Sequence, residues 1–443
     1  MKIIRLLAIL LVTAFVSCGH DHEPEPTPEP EPKPEEVLPP PELQPEVSRT
    51  ILVYIVANNT LGDGSIQGVR YDYQDIDEML KGAKVGYLNG GRLLVYHSAA
   101  NGSTTMKEVT SNGIVELKNY GDESPLTVST MRGVLDDMRQ LAPAEEYGLV
   151  LWSHSTGWIN QGREPEEPQE PEEPEGEEGD QENLNNASDT DESGSRSYIG
   201  WDLPICYSWG IDDKEEMSIP ALGRALNGQN LMFIYFDCCF MGNVESLYQI
   251  RNAANYVIAS ATEVPLGGMA YDRNLANLFK YYINYKDIAK NTYDYYNAFD
   301  DWWRSISMSV YDMSQMNSLV SAAADVFAAN PGASVDRSEI SSYSGSDTYP
   351  NRFFDLKQYI NSLTADENAV ARFNQTFDRF VVYTDHTPYM WWDGASEINS
   401  SVVPLDGTNG LSCYIMNGEN DDKVSRYKYK ELDWWSDAVS KAF

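Results

Sequence analysis

Cysteine is scarce in this chain: five residues in 443, at Cys18, Cys206, Cys238, Cys239 and Cys413. So few in so long a chain make no disulfide framework. Basic side chains are short too, with 32 Lys and Arg against 68 Asp and Glu, a formal net charge of −36. Nothing offers phosphates a basic face, which argues against a nucleic-acid partner. No internal repeat is visible, and the one long apolar stretch lies at the extreme N-terminus.

That stretch is a targeting signal. In "MKIIRLLAILLVTAFVSC", Lys2 and Arg5 precede an apolar run from Leu6 to Val16, too short to span a bilayer comfortably. Ser17-Cys18 resembles a bacterial lipobox, with Phe15 where Leu is commoner. Residues 1–17 are therefore expected to be a lipoprotein signal peptide and Cys18 the lipidated residue. That places the protein at the cell envelope or surface, the outer membrane first, held by an N-terminal lipid; the alternative is an ordinary secreted protein. Residues 18–48 form a Pro/Glu tether that cannot build a core.

The charge is uneven. Residues 19–48 hold nine acids and one lysine, residues 164–192 hold fourteen acids and no base, and together they account for −22. Elsewhere, strand-length apolar runs alternate with helical patterns. "ILVYIV" (51–56), "RLLVYH" (92–97), "YGLVLW" (147–152), "LMFIYF" (231–236) and "YVIASA" (256–261) lack the polar alternation of half-exposed strands. Between them, 71–83, 127–142 and 218–228 repeat apolar residues at helical spacing. The order predicts an α/β fold with a mostly parallel sheet flanked by helices. Its core spans 49–270, interrupted by an acidic insert at 163–197. A mainly helical part, 271–443, completes the fold, with one late strand at 410–416.

In such sheets chemistry sits at the carboxyl ends of the strands. "YGLVLWSHSTGW" ends a strand with His154, and "LMFIYFDCCFMG" ends another with Cys238 and Cys239. A thiolate that attacks a carbonyl and an imidazole that protonates the leaving amine suffice for acyl transfer. Backbone N–H groups at the two turns offer an oxyanion site. A helix after Gly242 is expected to favour the thiolate through its N-terminus. His154 and Cys239 lie 85 residues apart, or 50 once the 35-residue insert is removed, the spacing of the caspase pattern.

Several ordered blocks resemble the clostripain-like cysteine peptidases, family C11, bacterial relatives of the caspase fold. They are "RTILVYIVANNTL", "DIDEM", "LVLWSHSTGW", "YSWGIDD", "FDCCFMGNVE", "ASATEVPLGGMAYD", "FFDLKQY" and "GLSCYI". The resemblance implies a caspase-like fold and a cysteine endopeptidase acting through a Cys-His dyad. It places the nucleophile at Cys239, with Cys238 where alanine is usual, and the histidine at His154. Asp237 falls on the acid that lines the S1 pocket, so cleavage after Arg or Lys is implied, with Glu263 the next candidate acid. A carboxylate suits this role because it holds a planar guanidinium well. Ser155 replaces the usual glycine after the histidine, and its backbone N–H can still serve the oxyanion. Members can be activated by cleavage between histidine and nucleophile, and here Arg163 and Arg196 flank the acidic insert. Protein or peptide substrates with basic P1 residues are the implied partners. The residues call for no cofactor; calcium dependence, known for the family's founding member, enters only through the resemblance.

Other residues rank lower. His97 ends a strand but lacks the Gly-Trp turn, and His386 lies in an aromatic-rich loop. Cys206 and Cys413 read as core, and Trp391 and Trp392 as buried or rim aromatics rather than a sugar-stacking pair. The rival reading is a catalytically silent surface lipoprotein that binds peptides or glycans on a peptidase-like scaffold.

Overall fold

The computed structural model describes residues 38–158, 208–213, 215–344, 352–392, 401–416 and 429–443, and residues 38–443 form one compact unit. Cys18, Cys206, Arg163, Arg196 and the whole acidic insert lie outside the described residues.

All five apolar runs become adjacent parallel strands: β1 (Arg49–Ala57), β2 (Arg92–Ala99), β5 (Glu146–Trp152), β8 (Leu231–Asp237) and β9 (Ala254–Ala259). Two antiparallel strands extend each edge. On one side these are β3 (Thr104–Thr110) and β4 (Gly113–Gly121); on the other, β10 (Ser307–Asp312) and β12 (Val381–His386). The order is β12-β10-β9-β8-β5-β1-β2-β3-β4. The sheet is mostly parallel, as the runs predict.

Continuous hydrophobicity has a direct cause, because both faces are covered. Along β1, Leu52, Tyr54 and Val56 enter one core while Ile51, Val53 and Ile55 enter the other. Helices α1 (Tyr71–Val85), α5 (Tyr271–Leu278) and α6 (Tyr285–Asn297) cover the second face. The first face carries α2 (Val128–Leu141), α3 (Ile219–Leu226), α4 (Val244–Gln249), α7 (Met316–Ala329) and α9 (Glu367–Phe380).

The part from 271 onward is less purely helical than its pattern suggests. It adds β10 and β12 to the main sheet, and 410–416 contributes only the short β15 (Ser412–Cys413), paired with β11 (Phe354–Asp355). A small hairpin, β6 (Ser208–Asp212) and β7 (Glu215–Ser218), follows the insert.

From β1 the chain moves to β2 on one side, then returns to lay β5, β8 and β9 on the other. The order therefore reverses between β1 and β5. Ligand crevices form at such a switch point, beyond the strands' carboxyl ends.

Candidate active site

Three chain segments leave that edge together. β1 ends into Asn58-Asn59-Thr60, β5 into Ser153-His154-Ser155, and β8 into Cys238-Cys239-Phe240. The β5–β8 register pairs Trp152 with Asp237. His154 and Cys239 each lie two residues beyond that pair, in the turns that leave neighbouring strands.

The histidine turn is clamped from both sides. Ser153 donates its hydroxyl to the Val56 carbonyl at 2.8 Å and accepts the Ile211 N–H at 3.2 Å, and Gly210 N–H bonds the His154 carbonyl at 2.9 Å. Asn59 donates to the carbonyls of Val56 (2.9 Å) and Ile211 (2.8 Å), tying β1 to the β6 hairpin. Thr60 Oγ1 lies 2.8 Å from His154 Nε2. The ring is partly exposed, yet burial still dominates and pushes its pKa down to about 4, only partly opposed by Asp63.

The cysteine turn is strained and interlocked with the histidine turn. Phe240, a bulky aromatic, sits at φ 57°, a left-handed conformation that such residues rarely adopt. Its ring stacks on Phe353 at 5.2 Å, and its N–H bonds the Thr262 carbonyl at 2.9 Å. Asn243 caps α4 and donates to the Phe240 carbonyl at 2.6 Å. Gly157 (φ 65°) lies so close that a Cβ there would fall 2.7 Å from Asn243 Nδ2 and 2.9 Å from the Phe240 carbonyl. Only glycine lets the two turns meet.

The adjacent thiols separate. Cys238 is buried in the core with Phe236, whereas Cys239 is partly exposed; neither forms a disulfide. Val264 N–H donates to Cys239 Sγ at 3.3 Å, and the thiol approaches the Val264 carbonyl at 3.8 Å. Burial, helped by the charge of nearby Glu263, pushes the Cys239 thiol up to about 12. The expected help from a helix N-terminus is not realised. α4 begins only at Val244 and is six residues long, and its weak dipole is overridden by desolvation. No hydrogen bond joins Cys239 to His154, and burial favours the neutral form of each.

Asp237 ends β8 on the opposite face from Cys238 and is buried at 4% exposure. Oδ1 accepts Met269 N–H and Oδ2 accepts the Tyr271 hydroxyl, each at 2.8 Å. Burial pushes its pKa up to about 6 despite those donors. One segment, 263–271, thus runs from the thiol, through Glu263 and Val264, to the acid. Ser155 is buried, its hydroxyl on Met241 Sδ at 3.1 Å, opposite Trp209 in a β-bridge.

The structure therefore gathers His154, Ser155, Asp237, Cys239 and Glu263 at one edge and adds Thr60, Asn59, Phe240 and Val264. Thr60 had one signal: it follows the strand beside β5. His97 is a buried strut between Asp72 (2.8 Å) and Lys107 (3.1 Å), and His386 bonds its neighbour's carbonyl at 2.9 Å. Among the described residues no group of three or more His, Cys, Asp or Glu converges as a metal site, so no step is routed through calcium.

The same architecture occurs in solved peptidases. An inactive zymogen C11 protease from Parabacteroides distasonis matches with a TM-score of 0.69 at 23% identity, over 90% of this chain and 99% of that one. A secreted C11 cysteine protease from Bacteroides thetaiotaomicron, solved with an irreversible peptide inhibitor, matches with a TM-score of 0.69 at 25% identity, over 89% and 100%. No curated protein sequence matches the chain. The sequence model of the clostripain family, peptidase C11, matches residues 197–442, more than half of the chain. With the caspase-like sheet and the paired strand ends, that match makes this chain a member of the clostripain family of cysteine peptidases.

Proposed function

We propose that the protein is an endopeptidase that cleaves after Arg or Lys, with Cys239 as nucleophile and His154 as its acid–base partner. The observation that carries this reading is the Trp152–Asp237 register, which sends His154 and Cys239 out of neighbouring strands together and sets a buried carboxylate two residues before the thiol.

Thr60 occupies Nε2 of His154, which leaves Nδ1 for the thiol proton. Sγ attacks the scissile carbonyl and its proton passes through the imidazole to the leaving amine as the C–N bond breaks. Water then cleaves the thioester, which frees the new carboxyl end and restores the thiol. Backbone N–H groups of Cys239 and Ser155 are suited to the oxyanion. Asp237 receives the basic P1 group; Glu263, whose charge acts on Cys239, is the second candidate.

The remaining assignments rest on the sequence. Cleavage in the acidic insert near Arg163 or Arg196 would activate the enzyme. A lipid on Cys18 would hold it at the cell envelope; the Bacteroides thetaiotaomicron relative is described as secreted. A fluorogenic peptide ending in Arg tests the core of the proposal. Wild type should turn it over and Cys239→Ala should not; no turnover by processed wild type would favour the binding-protein reading instead.

A further inference from the structure

Asp75, on α1, is a buried acid that no step above uses. It is completely buried. Its Oδ2 accepts the Trp152 indole N–H at 2.6 Å, while its Oδ1 has no hydrogen-bond partner. Trp152 is the register partner of Asp237. Register partners on adjacent strands project from the same face, about 5 Å apart. The Trp152 indole therefore brings Asp75 down from the helix to the same floor that Asp237 occupies. The charge of Asp237 adds to burial in raising Asp75, and among the described residues neither carboxylate forms an ion pair with a Lys or Arg.

Two buried acids without a counter-cation are costly in an empty site, because both cannot ionise freely. They are well matched to a site that takes in a cation. Above them passes the Gly267-Gly268 turn, where a Cβ at Gly268 would lie 2.9 Å from both oxygens of Asp237. The chain that roofs the acid thus has no side chain there. Each Asp237 oxygen already holds a donor, whereas Asp75 Oδ1 holds none.

We propose that Asp75 is a second substrate-binding carboxylate, its unfilled Oδ1 sharing with Asp237 the cationic head of a basic P1 side chain. The proposal rests on the reading of Asp237 as the P1 acid. A guanidinium, with five N–H groups in a planar fork, can span both acids, while an ammonium is a compact point charge. Asp75 is therefore a selector for Arg over Lys.

The test compares kcat/KM on matched fluorogenic peptides with Arg, Lys or norleucine at P1, for wild type, Asp75→Asn and Asp237→Asn. Asp75→Asn should lower the Arg value at least about tenfold, the Lys value less, and the norleucine value by under about twofold. Equal losses on all three peptides, or an unchanged Arg-to-Lys ratio, would overturn the role of Asp75. If Asp237→Asn keeps its preference for Arg, the P1 assignment of Asp237 fails as well. If only Asp75→Asn is silent, that assignment stands and the inference alone falls. Asp75→Glu covers a failure of the asparagine variant to fold: its displaced charge should change the Arg-to-Lys ratio, and an unchanged ratio would count against the proposal.

Discussion

Thr60 is the residue on which the proposed chemistry turns most narrowly. Among the described residues its hydroxyl is the hydrogen-bond partner of His154 Nε2, and in the proposed mechanism that leaves Nδ1 for the thiol proton. Thr60→Val keeps the shape and removes the bond. Steady-state kinetics should show kcat reduced about tenfold to a hundredfold with KM little changed, and Thr60→Ser should restore it. A fully active valine variant would mean that the ring is oriented by something else. The opening turn reads Ala-Asn-Asn-Thr (57–60) where the family commonly has Ala-Asp-Asn-Asn, so Thr60 stands in place of an Asn and the motif alone hid this contact.

At the scale of elements, the account depends on two turns that meet at Gly157. A Cβ at that position would press on Asn243 and on the Phe240 carbonyl in a left-handed backbone region. Gly157→Ala should cost about 1–3 kcal/mol in thermal or denaturant unfolding and reduce kcat at least tenfold. The preference for Arg over norleucine should survive, because Asp237 lies on the other face of β8. Equal loss of turnover and of preference would show that the turns and the pocket are not separate.

The central strands were legible because burial on both faces leaves uninterrupted apolar runs. His154 and Cys239 were legible because those runs stop at them. The edge strands were not. β4 alternates weakly and is mostly exposed, so Lys118 and Glu116 dilute its pattern. β12 follows α9 without a break and reads as the end of a helix. Nor does spacing reveal that burial would outweigh the helix N-terminus at Cys239, or that α1 would deliver Asp75 to Trp152, since both depend on packing across the sheet.

Across the whole molecule, buried acids set the response to pH. Burial raises the carboxyls of Asp237 to about 6, Glu78 to about 7 and Glu245 to about 8. Each keeps a proton in the fold that the unfolded chain gives up, so its stabilisation is complete below about pH 4 and is lost as pH rises through those values. His154, depressed to about 4, acts oppositely: its contribution is present above about 6.5 and lost as pH falls toward 4. Above about pH 6.5 the histidine contribution nears completion while the raised acids still titrate, so Tm should fall up to about pH 8.5. Glu245→Gln should flatten that fall, and a profile parallel to wild type would refute the assignment to Glu245. Added salt screens the repulsion that accompanies a net charge of −36 but leaves the buried contribution in place. Processing acts at the same scale. On a denaturing gel the active enzyme should run as two fragments that co-elute natively, with Cys239→Ala a single chain. Arg163→Ala with Arg196→Ala should slow activation, and full activity from an uncut chain would exclude it.

The central claim is that Cys239 attacks carbonyls presented by a basic P1 residue. An acyloxymethyl ketone peptide ending in Arg forms a thioether with such a nucleophile and can be located by peptide mass spectrometry. One adduct is expected, on Cys239, that requires His154 and is weak with a norleucine analogue. An adduct on Cys238 or Cys413, or equal labelling by both reagents, would contradict it.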